Sequence, residues 1–203
     1  EQTRPHPALG RCPKPRRGWN RARGWPEKGD KVGPVTKSVY IASSERQVSK
    51  SSIALGLIDM FARQVRSIGV FRPLVHSTES EPVTEALLSQ TGVKGTFDES
   101  VGVSYTDYAA DTNEAIDTIV AKYSALAETR DVVVVLGSDY EDLGTASELE
   151  INAVIAANLN SPVLYVAKAL GRTVEQVARQ TESAIEAYEA KHNTVSGMMV
   201  TQA

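Results

Sequence analysis

Residues 43–52 read Ser-Ser-Glu-Arg-Gln-Val-Ser-Lys-Ser-Ser, between an apolar run at 39–42 and a helical pattern that opens at Ile53. Lys50 and Ser51 match the end of G-x-x-x-x-G-K-[ST], a phosphate-binding loop. In that loop glycines let backbone N–H groups converge on a phosphate. The lysine reaches the outer phosphates, and the hydroxyl meets Mg²⁺. Here Ser44 and Ser49 stand where the two glycines belong. A side chain at Ser49 adds bulk where the main chain must approach the phosphate. A non-glycine residue at positive φ also costs about 1 kcal/mol or more. The stretch therefore reads as a degenerate Walker A loop. Two outcomes stay open: an anion site with weak affinity for nucleotide or phosphate, or an inherited turn without a ligand. No other cofactor is expected.

Hydrolysis would also need an acid at the end of a neighbouring strand to organise metal and water. Leu136 occupies that place, and leucine coordinates nothing. Asp139 and Asp142 lie close behind, in a Gly/Ser/Asp-rich turn of the kind that is commonly only solvated. Arg72, before Pro73, is expected to end a strand at the sheet mouth, where open α/β sheets bind ligands. The candidate crevice thus collects Ser44, Ser49, Lys50, Ser51, Arg72 and Asp139. No catalytic residue is assigned. His6, His76 and His192 are scattered, and no CxxC pair, zinc motif or Ser-His-Asp arrangement exists, so no metal site is assigned either.

Asn152 interrupts an apolar helical stripe and is expected to bond a neighbouring loop rather than a ligand. Tyr123 and Tyr188 fall on helix stripes and read as core or interface. Glu79-Ser80-Glu81 reads as a solvated loop.

Positioning such a loop requires alternating strands and helices. Strands are expected at 38–43, 68–72, 131–137, 162–167 and 195–200, with a weaker one at 100–104. The run 132–136 is apolar on both faces, as a central parallel strand must be. Helices are expected at 50–66, 82–91, 106–128, 145–159 and 173–191. Pro82 suits a first helical position, and Thr145/Glu148 and Thr173/Gln176 form capping boxes. The alternation predicts one α/β domain over 37–203, a mainly parallel sheet with helices on both faces. No helical pattern follows the last strand, which suggests a chain truncated before further domains.

Residues 1–34 hold nine of the 22 Lys and Arg but three of the 25 Asp and Glu, so residues 35–203 carry 13 cations against 22 acids, a net −9. An acidic body disfavours nonspecific nucleic-acid binding. Residues 1–36, rich in proline and arginine, read as a disordered basic tail, because so little apolar surface cannot offset chain entropy. Its interleaved Arg and Trp (Arg16, Arg17, Trp19, Arg21, Arg23, Trp25) could stack on a nucleic acid, but a solvated tail or translation upstream of a natural start near Val35 is preferred. Cys12 alone forms no internal disulfide, and no apolar run approaches the roughly 18 residues of a membrane span. A cytoplasmic protein without membrane or nucleic-acid partners is expected.

The segments 39–74 and 131–177 carry a resemblance. Its specific parts are the S-K-S-S loop, the F-R-P turn at 71–73, G-S-D-Y-x-D at 137–142, and N-A-x-I-A-A-N-L running into a strand. The chain resembles the N-terminal, dethiobiotin synthetase-like domain of long bacterial phosphate acetyltransferases, the actinobacterial type above all. The resemblance implies a P-loop NTPase-like three-layer sandwich. It implies a parent enzyme of acetate metabolism that converts acetyl-CoA and phosphate to acetyl phosphate and CoA, in a catalytic domain this sequence lacks. It also implies a regulatory and assembly role, with a second copy or the missing catalytic domains as partners. Arg72 matches the turn where dethiobiotin synthetase-like proteins carry a substrate-facing lysine. Ser49, Leu136 and Thr201 depart from the family's glycine, glutamate and asparagine. An ATP-dependent ligase of the dethiobiotin synthetase type and a stand-alone interaction module are the alternatives.

Overall fold

The computed structural model describes residues 37–44, 49–138 and 148–202. The basic segment 1–36, Arg46, Asp139, Asp142 and Thr145 lie outside the described residues.

Among the described residues six strands form one sheet: β1 (Lys37–Ala42), β2 (Ile68–Val75), β3 (Val101–Ser104), β4 (Val132–Leu136), β5 (Val163–Lys168) and β6 (Val195–Thr201). Their order is β3-β2-β4-β1-β5-β6, and every pair is parallel. Parallel neighbours need a crossover, and the helices supply it. They are α1 (Lys50–Ala62), α2 (Pro82–Leu88), α3 (Phe97–Ser100), α4 (Tyr105–Ala110), α5 (Thr112–Ala127), α6 (Glu148–Asn158) and α7 (Val174–Ala190). The six expected strands are all present, and the expected three-layer α/β architecture is the one observed.

Burial follows from that layering. β2 and β4 are buried along their whole length. Ile41, Val70, Val134 and Val166 face α1, whose buried Ala54 and Ile58 lie four residues apart on one stripe. Tyr40, Phe71, Val135 and Tyr165 face the other way, onto the stripe Ala115, Ile119, Tyr123 and Leu126 of α5 and onto α6 and α7. Tyr123 and Tyr188 belong to this core.

Local chemistry sets the element ends. Thr173 caps α7 through its box with Gln176, and Glu81 caps α2 ahead of Pro82. The expected helix 106–128 is divided at Asp111, whose extended backbone ends α4. Its carboxylate accepts from the N–H groups of Asn113 and Glu114 to start α5. A short acidic side chain offers these donors a partner that a continuous helix would not. The four-residue α3, with its Thr96/Glu99 box, is too short to show a period in sequence. β2 runs on through Pro73 to Val75, so Arg72 is inside the strand and not at its end. Gly102 accommodates that proline: a Cβ there would collide with the Pro73 carbonyl oxygen.

Asp131 ties the entry of β4 to the turn before β2. Its Oδ2 accepts from Arg66 N–H and Ser67 N–H, each at 2.9 Å, and from Ser67 Oγ at 3.1 Å. The N–H of Arg66, then that of Ser67, holds the carboxyl below the ordinary aspartate value. A depressed folded pKa adds stability above the unfolded value and loses it as pH falls through the folded one.

Glycine positions give opposite expectations for stability. Gly102→Ala should destabilise the fold by about 1–3 kcal/mol or more through overpacking. Gly56→Ala, on α1 with nothing within 4 Å of the added Cβ, should stabilise it by about 0.5–1 kcal/mol. Urea denaturation of both variants checks the pair. Asp131→Asn should flatten the loss of stability below about pH 4, since its amide cannot titrate there; thermal melts across the acid range would reveal this.

Candidate functional site

Ser49 precedes α1 with φ 61 and ψ 32, in the left-handed region, and its side chain caps nothing. This is the backbone shape that favours glycine, held instead by a residue with a Cβ. The positive φ that the sequence reading assigned a cost at a non-glycine residue is therefore present at Ser49. Lys50 is the first helical residue and Ser51, half-buried, the second.

Lys50 is 4 % exposed. Its Nζ donates to the Ser138 carbonyl and to Glu148 Oε1, the latter at 3.0 Å. Glu148 is 5 % exposed and begins α6. The ammonium that would meet a phosphate in a working loop thus meets a carboxylate of the same chain. A buried charge must be paired, and here the pairing is internal.

Asn152, one helical turn beyond Glu148, organises the surroundings. Its Nδ2 donates to the Glu148 carbonyl at 2.9 Å. Its Oδ1 accepts from Tyr40 Oη at 2.8 Å and from Ser138 N–H at 2.9 Å. Asn152 thus holds the N–H of Ser138, the residue whose carbonyl accepts from Lys50, and this is the loop contact expected from sequence. Gly137 permits this approach: a Cβ there would lie 2.6 Å from Asn152 Oδ1 and 2.8 Å from the Ile41 carbonyl. Burial pushes the Tyr40 hydroxyl well above its ordinary value, so it stays a proton donor to Asn152. Burial does the same for Tyr188.

Ser44 turns away from this cluster, sharing a 2.7 Å hydrogen bond with Tyr165 Oη. Arg72 is buried under α2, with Nη1 3.1 Å from Glu81 Oε1. The other Glu81 oxygen accepts from Thr84 N–H and Thr84 Oγ1 at 2.6 Å. Glu81 is thus a helix cap and an arginine partner, where the sequence suggested a solvated loop. Of the sequence candidates, Lys50, Ser49 and Ser51 share the start of α1, while Arg72 makes its ion pair with α2's cap. Asp139 lies outside the described residues.

Glu148 and Ser138 are the functional residues that sequence reasoning missed. One signal existed: Glu148, Ile151, Asn152 and Ile155 share the buried stripe of α6, and an acid on an apolar stripe needs a cation. The described part of the loop thus presents a left-handed serine and a lysine paired with Glu148.

Lys50→Met should cost about 3–5 kcal/mol, because it strands the Glu148 carboxylate in the interior. Adding Glu148→Gln should recover most of that loss, a non-additivity that a double-mutant cycle in urea measures. Ser49→Gly should raise stability by about 1 kcal/mol by removing the left-handed strain, and the same denaturation reads it.

A family model described as an AAA domain matches residues 37–203. Phosphate acetyltransferase from Synechocystis is 27% identical over 180 residues, covering 83% of this chain and 25% of that enzyme. Phosphate acetyltransferase from Nitratidesulfovibrio vulgaris is 26% identical over 177 residues, again with 83% and 25% covered. The chain spans about a quarter of the length of these relatives. Among solved structures, the BceF tyrosine kinase domain aligns with a TM-score of 0.52 at 13% identity, covering 81% of this chain and 68% of that one. A variant of Cyanothece McdA, in complex with ATP, aligns at 0.50 and 12%, covering 83% and 70%. At such identities the structures speak for the P-loop NTPase-like fold alone. The resemblance to a domain of long phosphate acetyltransferases, drawn from the loop and the α6 segment, is borne out by these relatives. Over residues 37–203 the chain belongs to the AAA domain family.

Proposed function

We propose that residues 37–203 form a noncatalytic P-loop-like domain of a cytoplasmic phosphate acetyltransferase, serving assembly and metabolite regulation. The parent reaction, acetyl-CoA and phosphate to acetyl phosphate and CoA, belongs in this reading to the part of the relatives this chain does not span. No helix among the described residues is long and apolar enough to cross a membrane.

One observation carries the reading. The loop lysine is 4 % exposed and is already neutralised by Glu148 at 3.0 Å. A phosphate would have to replace a pre-organised, buried carboxylate, and that competition removes the gain on which P-loop binding depends. Leu136, fully buried, ends β4 where a metal-organising acid would sit. The domain retains the scaffold of a nucleotide site without its chemistry. Other metabolites of the acetate branch remain ligands to test, with Glu148 as the group they would have to displace or avoid.

Calorimetric titration with Mg-ATP, then with phosphate, acetyl-CoA, pyruvate and NADH, tests this reading. Mg-ATP should give no saturable heat in the micromolar range and no ADP. Glu148→Gln together with Ser49→Gly should gain measurable affinity for phosphate or nucleotide, because the ammonium is released and the backbone freed. Micromolar Mg-ATP affinity in the unaltered chain, lost in Lys50→Ala and accompanied by ADP release, would overturn this reading and favour the ligase alternative.

A further inference from the structure

Ser161 Oγ and Asn193 Oδ1 are buried oxygens with no hydrogen-bond partner among the described residues. Ser161 is 3 % exposed and Asn193 8 %. Both residues line one cavity of about 260 Å³ at the amino ends of β5 and β6, the end of the sheet opposite Lys50. Buried polar atoms without a partner are rare, and each calls for a water, an ion or a ligand to complete it. Asn193 shows the direction. Its Nδ2 donates to the Ala153 carbonyl of α6 at 2.9 Å and to the Tyr188 carbonyl of α7 at 3.2 Å. The amide nitrogen bridges the two helices, and the oxygen, on the other side of the same planar group, points away from both carbonyls.

The surrounding backbone sets the charge. Both α6 and α7 end at this cavity in Schellman closures. In the first, Ser161 N–H donates to the Ala156 carbonyl and Asn160 N–H to that of Ala157, each at 3.1 Å. In the second, Asn193 N–H donates to the Tyr188 carbonyl at 3.1 Å and His192 N–H to that of Glu189 at 2.9 Å. Asn160 and His192 take the left-handed positions, with φ 48 and φ 65. Each helix end carries about half a unit of negative charge, so two of them at one cavity favour a cation. Lys191, in the second turn, lies 3.6 Å from Glu150, so its own charge is balanced. Ala156, Ala157 and Pro162 add apolar wall.

We infer that this cavity binds a small primary alkylammonium, its nitrogen donating to Ser161 Oγ and Asn193 Oδ1 and its alkyl chain lying against Ala156, Ala157 and Pro162. An ammonium offers three donors and no acceptor, which suits two unpartnered oxygens beside two negative helix ends. A carboxylate or phosphate would meet the same helix ends with the wrong sign. A neutral alcohol supplies one donor and gains nothing from their charge. The site shares no residue with the Lys50–Glu148 cluster. It therefore stands or falls apart from the reading of the loop, and the Mg-ATP titration does not bear on it.

Amide NMR spectra of the chain titrated with n-propylammonium chloride should show saturable shifts at Ser161 and Asn193, with a Kd of about 1 mM, in keeping with the limit on affinity per atom. Sodium chloride at equal ionic strength should not reproduce them, nor should n-propanol, which matches the shape without the charge. Ser161→Ala should weaken binding about fivefold, the worth of one hydrogen bond. Its thermal midpoint should be unchanged, because Oγ makes no bond to lose. Ala157→Lys should weaken binding at least about tenfold, by setting an ammonium at the negative end of α6. Shifts that never saturate, equal shifts from n-propanol, or binding indifferent to both variants would overturn the site and leave the two oxygens to ordered water.

Discussion

The ammonium of Lys50 reaches the interior at the head of α1, where an unpaired charge would cost several kcal/mol. Its Glu148 and Ser138 partners arrive from a different element, α6, and from the end of β4. Asn152 links them, holding the Ser138 N–H and the Tyr40 hydroxyl on one oxygen and donating to the Glu148 carbonyl. Parts of the chain far apart in sequence are bound into one buried polar cluster. The atoms that satisfy these buried charges include the loop lysine itself.

The sheet makes this cluster possible. β1 lies between β4 and β5, so the C-terminal ends of β1 and β4 lie side by side. α1 then covers one face and α6 the other, and their N-termini converge across the sheet end. Lys50 and Glu148 are the first residues of those two helices. In many sheets of this kind such a convergence forms an anion site, because helix N-termini carry positive potential. Here the anion is a side chain, and α6 delivers it. Arg72 and Glu81 repeat the device on the other wing of the sheet, where a buried guanidinium is matched by the cap of α2. In both pairs the cation stands out in the sequence as a candidate ligand group. Its acidic partner does not: Glu148 reads there as half of a capping box, and Glu81 as part of a solvated loop.

The comparisons bear on the scaffold. The fold is shared with proteins of 12–13% identity, one of them solved with ATP. Sequence likeness reaches phosphate acetyltransferases over a quarter of their length. Fold-level kinship says nothing by itself about activity, which depends on the particular groups at the site. Those groups are here a left-handed serine and an internally paired lysine.

Periodicity and punctuation alone determined the order and type of the elements. Apolar runs such as 132–136, the 3.6-residue stripe of α5, Pro82 and the Thr173 box act locally, and local signals survive in a one-dimensional reading. The strain at Ser49 was equally legible, because it depends on one residue's own backbone. The break at Asp111 was not, since an acid on a helical stripe reads as helix until its carboxylate is seen turned onto the next turn's N–H groups. Nor were the partners of Lys50 and Arg72, or the cavity between the ends of α6 and α7. Those depend on which strands become neighbours and which faces the helices cover. Charge pairing in the interior is a long-range matter, decided by packing, and only the tertiary structure brings Glu148 to within 3.0 Å of Lys50.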